Sequence, residues 1–379
     1  MKRMKIAAGV ATTLALALAV SACGGGTTPS GSTSGAPAGP AGAGGTLHIL
    51  SGTATEHWDP QRVYVGVNIE SGNRLFTRTL TTFGPVAKDG DPAELVADAA
   101  TDTGTASADG KEWKFTIKEG VKWEDGKAVT CEDFKYGISR TFAVDVITGG
   151  PNYAIQFLDI PKNKDNSSQY KGPYDGAGQD LYDKAVSCDG ATITFKMAKP
   201  SGDFNMATTM TAFGAFREDK DQGENSNYAI FSNGPYKLEG SWTANKGGTF
   251  VRNEAWDAAT DPIRKAYPDK IVWDESLTAE TLYERLIASQ GDDANAITFD
   301  QAPATALSNV TQAEGRYTIV ASPYTRYLTP NYKSKVMGKD KAREALALAT
   351  DRSAYVTAAG GDEVVKATNS LINPALPAF

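Results

Sequence analysis

Residues 109–140 read DGKEWKFTIKEGVKWEDGKAVTCEDFKYGISR, and their pattern decides the class of the fold. Asp109-Gly110 and Asp125-Gly126 are turn dipeptides: the Asp side chain accepts a local backbone hydrogen bond and the Gly reaches positive φ at no steric cost. Between them, Lys111 to Lys118 alternates polar and apolar. That alternation predicts a half-buried strand with Trp113, Phe115 and Ile117 on its inner face. Val121-Lys122-Trp123 carries the chain to the second turn. Thr130 then heads a helix, with Glu132 and Asp133 in the first turn, where carboxylates favour the positive helix end. Phe134, Ile138 and Phe142 recur at helical spacing and predict one buried face.

Working outward, the same signals repeat. Asp189-Gly190 opens another alternating strand, with Ile193, Phe195 and Met197 on one side. Toward the N-terminus, Thr46–Leu50 (TLHIL) reads as a strand and Val65–Leu75 as a helix, with a loop around Asp89-Gly90. Pro161 to Asp180 is polar and reads as a loop. After Asn233 two strands are expected, in NGPYKLEGSW and GTFVRNEAWDAA, and a third at Lys270–Trp273. Ala279–Ser289 predicts an amphipathic helix with Leu282, Leu286 and Ile287 inward. Short strands are expected at Ala296–Phe299 and Tyr317–Ala321, and a helix at Lys341–Thr350 (KAREALALAT). Strands and helices mix without a regular βαβ repeat, so the class is α+β.

The N-terminus has a different character. Lys2, Arg3 and Lys5 precede an apolar run from Ile6 to Val20, long enough for a signal peptide and too short to span a membrane. The run ends in Val20-Ser21-Ala22-Cys23, which resembles the lipobox of bacterial lipoproteins. That resemblance implies cleavage after residue 22 and a diacylglycerol on the Cys23 thiol. Residues 24–45 hold only Gly, Ser, Thr, Pro and Ala, a composition without core formers that is expected to act as a disordered tether. Two acyl chains would hold such a tether stably at a membrane. The formal charge of −7 becomes −10 once the three signal-peptide cations are removed, and an acidic surface argues against nucleic acid as a partner. With Cys23 lipidated, Cys131 and Cys188 remain. In an oxidising compartment a Cys131–Cys188 disulfide is expected, two buried thiols being the alternative.

Catalytic signatures are lacking. His48 and His57 are the only histidines, and the HExxH, G-x-S-x-G and D-x-D-x-D-G patterns are absent. Gly120 to Lys127 approaches a phosphate-binding loop. It has one residue too many between its glycines, and Ala128 stands where Ser or Thr must hold magnesium, so it reads as a hairpin turn. Glu124 and Asp125 are read as solvated acids at that turn tip. No catalytic residue, metal or cofactor is assigned.

Six blocks in order resemble the bacterial extracellular solute-binding proteins of family 5, the oligopeptide- and dipeptide-binding lineage. They are Asp59-Pro60 (with Trp58 where the family has Leu), the stretch 109–140, Asp189–Phe195 with Pro200, Asn233-Gly234-Pro235-Tyr236, Val251–Trp256, and Lys341–Arg352. The resemblance covers residues 46–379. It implies a periplasmic-binding-protein-like type II (cluster C) fold whose two lobes close on a ligand. Domain I would take 46–76 and 204–271, domain II 77–203, and domain III 272–379. Family members run on beyond the point matching Pro374–Pro377, so the resemblance implies an incomplete third domain.

What the resemblance implies about function is capture of peptides outside the membrane for the permease and ATPase subunits of an ABC importer. The protein would be a monomer, held at the outer face of the cytoplasmic membrane by lipidated Cys23. Tyr64, Val65 and Gly66 match the segment that pairs with the ligand backbone, and Tyr153 matches a tyrosine lining the cleft. Asn233 and Gly234 match the hinge side. Tyr324, Arg326 and Tyr327 match the entry to domain III, with Arg326 suited to pair a ligand carboxylate bidentately. The same scaffold also serves oligosaccharide, nickel or haem ligands and non-transport surface receptors, and these remain alternatives.

Overall fold

The structure, a computed structural model, describes residues 43–86, 93–261, 263–313, 315–318 and 324–373. Along the chain the elements are β1 (Thr46–Leu50), α1 (Gly66–Leu75), β2 (Thr81–Phe83), β3 (Leu95–Ala97), β4 (Thr105–Ala106), β5 (Glu112–Thr116), α2 (Cys131–Arg140), α3 (Tyr153–Phe157), α4 (Gln179–Ala185), β6 (Val186–Asp189) and β7 (Thr192–Lys196). There follow α5 (Phe204–Ala207), β8 (Tyr236–Thr243), β9 (Gly247–Arg252), β10 (Lys270–Asp274), α6 (Ala279–Ala288), β11 (Ala296–Ile297), α7 (Leu307–Gln312), α8 (Asp340–Ala349) and α9 (Arg352–Ala358).

Two sheets organise the described residues. The larger has the order β11-β1-β10-β9-β8. In it β1 runs parallel to β10 and β11, whereas β10, β9 and β8 pair antiparallel. The second, β4-β5-β7-β6, is antiparallel throughout. A short β2-β3 ribbon stands apart.

The second sheet follows from the alternation in its sequence. Trp113 faces Phe195 and Phe115 faces Ile193 across the β5–β7 ladder, and all four side chains are buried. Gly110, Gly126 and Gly190 have φ of 67°, 85° and 55°, the left-handed conformation that their Asp-Gly turns require. Thr130 caps α2 through a reciprocal capping box with Asp133. Phe134 and Ile138 of α2 are fully buried in the core beneath the sheet. Phe204 is the hub of that core, with Trp113, Phe115, Phe157, Phe195 and Phe213 packed around its ring at centroid distances of 5.2–6.5 Å.

The larger sheet has its own core of Trp58, Phe76, Trp242, Phe250 and Trp273. A smaller cluster of Leu50, Leu282, Tyr283 and Ala296 seats α6.

Several expectations shift. Strand β6 (VSCD) lacks alternation and is recruited by pairing with β7. The polar stretch 161–180 buries Tyr170, which stacks on Tyr182 at 4.6 Å. Ile287 is exposed, because α6 buries only Leu282 and Tyr283. The 296–299 strand stops at Ile297. Tyr317 and Thr318 have no strand geometry, and the rest of the strand expected there, like the Asp89-Gly90 loop and Cys23, lies outside the described residues.

Cys131 and Cys188 form a disulfide with a Cα–Cα distance of 5.9 Å. It ties the first residue of α2 to β6. The bridge spans a sequence separation of 57, a loop whose closure lowers the entropy of the unfolded chain by about 4 kcal/mol in the chain-entropy account. Reduction, or Cys131→Ser with Cys188→Ser, is expected to lower the unfolding free energy by about 2–4 kcal/mol in urea melts; an unchanged midpoint would show that the covalent tie adds nothing to packing already in place.

Candidate functional site

The N-terminal end of α1 carries three of the candidate residues, Tyr64, Val65 and Gly66. Val65 is the extended N-cap of α1 and makes no side-chain cap hydrogen bond. Gly66 begins the helix. A Cβ built there would fall 2.4 Å from the Tyr324 hydroxyl, so the tip of this exposed side chain lies against the first turn of α1. Tyr64 (64% exposed), Val65, Val67, Tyr153 (37%), Tyr324 (69%) and Tyr327 (67%) all present apolar surface to solvent. Exposed aromatics of this kind supply contact area at low entropic cost and carry a polar tip. The exposed Arg326 donates from Nη2 to Gln301 Oε1 at 2.6 Å.

Asn233 and Gly234 sit elsewhere. Asn233 is buried, its Oδ1 accepting the Arg78 backbone N–H at 2.7 Å. The Gly234 carbonyl accepts from Asn253 Nδ2 at 2.8 Å, and a Cβ at Gly234 would come 2.9 Å from the Leu75 carbonyl oxygen. Both residues wire the Asn-Gly-Pro-Tyr turn to the backbone at Leu75–Arg78. Two cavities lie near such turns. One is bordered by Trp58, Trp123, Phe231 and Asn233, and the other, of about 630 Å³, by Lys122, Arg252 and Trp256. Of the candidate residues only Asn233 lines either.

Of the two acids expected to be solvated at the turn tip, Glu124 is half-buried and Asp125 exposed. Glu124 accepts the Ser232 N–H at 2.8 Å and its own N–H donates to the Ser232 carbonyl. Burial pushes its carboxyl up, partly offset by that hydrogen bond. Asp125 accepts from the Lys127 N–H within the turn and from Arg217.

What sequence reading missed is a pair of buried charge networks. In the first, Arg140 forks onto both oxygens of Asp59 at 2.7 Å, donates from Nε to Asp221 at 2.9 Å, and reaches Gln61 Oε1. The Phe216 ring lies 3.7 Å from the guanidinium carbon. Asp221 also accepts from the hydroxyls of Tyr136 and Tyr174. In the second, Asp98 receives Arg264 bidentately (2.8 and 2.9 Å), Arg78 Nε at 2.8 Å and the Thr79 N–H. Asp261 completes the set by accepting from Arg264 and from the Trp256 indole. Burial raises the Asp98 carboxyl, but Arg264 and then Arg78 outweigh it and the net shift is downward. For Asp221 burial is likewise outweighed, by Arg140 first. The signal was visible in part: Asp59 and Arg140 stand in two of the six blocks.

The α+β frame, with its mixed five-stranded sheet and its antiparallel four-stranded sheet, is that of the two-lobed periplasmic-binding-protein-like solute-binding proteins. Residues 94–379 match the bacterial extracellular solute-binding proteins, family 5 Middle, and the chain belongs to that family, whose members bind solutes and are not enzymes. The oligopeptide-binding protein OppA of Bacillus subtilis (strain 168) is 30% identical over 186 residues, 47% of this chain and 31% of OppA. The dipeptide-binding protein DppE of the same organism is 24% identical over 315 residues, 82% of this chain and 52% of DppE. Among solved structures, the clavulanic acid biosynthesis oligopeptide binding protein 2 superposes with a TM-score of 0.57 at 30% identity, over 65% of this chain and 43% of that one. Listeria monocytogenes OppA bound to peptide shares the fold with a TM-score of 0.64 at 18% identity, over 86% and 60%. The chain spans about a third to a half of the length of these two curated relatives.

The charge networks make acid stability testable. Asp98 and Asp221 have folded pKa values below their unfolded ones. Their contribution is therefore complete above the unfolded pKa of about 3.9 and is lost as pH falls through the lower folded values. Asp98→Asn leaves two buried guanidinium groups undercompensated and is expected to cost about 3–5 kcal/mol at neutral pH. It should also flatten the acid limb of a stability–pH curve. Asp269→Asn, which breaks the exposed pair with Arg252, should cost less than about 1 kcal/mol. Equal costs for the two variants would refute this ranking.

Proposed function

We propose that this protein captures peptides outside the cytoplasmic membrane and delivers them to the permease of an ABC importer, tethered there by lipidated Cys23. Domain I takes 46–76 and 204–271, domain II 77–203 and domain III 272–379. Ligand lies along the face formed by Tyr64, Val65 and Gly66, flanked by Tyr153 and by Tyr324, Arg326 and Tyr327. One observation carries the reading: the Tyr324 hydroxyl touches Gly66 at the start of α1, so two candidate segments far apart in sequence meet at one place. An extended peptide there would pair its backbone with Val65 and Gly66 in the manner of an added strand, side chains resting on the tyrosines. The Arg326 guanidinium would meet the peptide carboxylate. Lobe closure would then follow from contacts that the ligand makes only in the closed state. The names of the OppA and DppE relatives support peptides over the other solutes that this scaffold serves.

Native mass spectrometry of protein purified from its cells should find co-purified peptide, and calorimetry with a peptide panel should give saturable binding. Arg326→Ala should weaken binding by roughly tenfold, the equivalent of about 1.4 kcal/mol; retained affinity removes Arg326 from the site. Cells fed a radiolabelled fatty acid should label the protein, and Cys23→Ser should abolish the label. Persistent labelling of that variant would place the anchor elsewhere.

A further inference from the structure

We propose that Arg62, with Gly150 opposite it, is a positioning residue that sets the spacing between Tyr64 and Tyr153 across the ligand face. The inference rests on the peptide-binding reading for its purpose, but its geometry stands by itself. Arg62 is 7% exposed, yet it pairs with no carboxylate among the described residues. Its three nitrogens are spent on oxygen atoms of other loops instead: Nε on the Thr148 carbonyl at 3.2 Å, Nη2 on the Thr148 hydroxyl at 3.2 Å, and Nη1 on the Glu224 carbonyl at 2.8 Å. A buried cation that meets only neutral oxygens acts as a connector. The planar fork suits that role because its donors are fixed relative to one another, which a lysine cannot reproduce.

The opposite loop is shaped for contact. A Cβ built on Gly150 would fall 1.8 Å from the Gln61 carbonyl oxygen and 2.9 Å from the Arg62 Cα, so only glycine lets the two backbones meet. Gly149, at φ +88°, rests beside the His57 ring. The near side is itself braced. The Arg62 and Val63 N–H groups turn back onto the Asp59 carbonyl, and Gln61 Oε1 accepts from Arg140.

Tyr64 lies two residues beyond Arg62 and Tyr153 three beyond Gly150, both with exposed rings. The join adds nothing to either aromatic core. What it does is lock two surface loops that carry ligand-facing tyrosines. Binding groups of this kind need placement to within about 0.5 Å.

The test compares Arg62→Lys and Gly150→Ala with the unaltered full chain. In a Cys23→Ser background with the native disulfide intact, spin labels at Tyr64→Cys and Tyr153→Cys should give one narrow distance. Either substitution should broaden or shift it, and an unchanged distribution overturns the proposal. Without labels, Arg62→Lys should weaken peptide affinity by roughly tenfold, and by less than about twofold in a Tyr153→Ala background, as expected for residues acting as a unit. Equal losses in both backgrounds would mean that Arg62 acts through general stability and would overturn the positioning role. If the unaltered chain binds no peptide, the peptide reading falls and the label distances still decide the clamp. If Gly150→Ala does not fold, Arg62→Lys decides alone.

Discussion

The bidentate pair between Asp59 and Arg140, with Asp221 on the third side of the guanidinium, is the constraint on which the placement of the Asp59–Val65 loop against α2 depends. Both partners are fully shielded from water. In such a setting the energy of desolvation roughly cancels the attraction, so the pair is weak as a source of net stability and strong as a source of register. Only one alignment of the α2 C-terminus with the loop after β1 lets both carboxylate oxygens meet both guanidinium nitrogens. Any slip leaves a buried charge without its partner. The second network, around Asp98, does the same for the junction of β2–β3 with the turn at Asp261–Arg264.

Directional bonds of this kind tie down loops, which are ordinarily the mobile parts of a fold. The loop from Asp59 to Val65 is held at Asp59 and Gln61 by Arg140, at Arg62 by Thr148 and Glu224, and at its far end by entry into α1. Exposed rings such as Tyr64 are thereby displayed from a rigid base. Hydrophobic burial, which is non-directional, could not have done this alone; directional bonds to charged groups set angles as well as distances.

Legibility from sequence varied with the physics behind each feature. Strand β5 and helix α2 were readable to within two residues at their ends, because alternation, Asp-Gly turns and a capping box are all local and all agree. Strand β6 was not, because VSCD carries no period of its own and becomes a strand only through β7. Ile287 was assigned inward from helical spacing, yet α6 buries Leu282 and Tyr283 and packs Leu286 at the edge of the same cluster, so amphipathicity overstated the width of the buried stripe by one residue. Among the expected site residues, Tyr64, Tyr153, Tyr324 and Tyr327 are exposed, whereas Asn233 and Gly234 lie buried or pressed against the backbone at Leu75–Arg78. Arg62 and Gly150 carried no sequence signal at all.

By itself, then, the sequence determined the α+β class, the strands and helices whose periodicity is internal to them, the export and lipobox signals expected at the N-terminus, and the family to which the blocks belong. Tertiary structure alone decided which charges are buried and with whom, which glycines stand against another backbone, and that Tyr324 reaches Gly66. The reason is range. Periodicity and capping are written within a few residues, while an ion pair between Asp59 and Arg140, or a carbonyl pressed against Gly150, exists only once the chain has brought distant segments together.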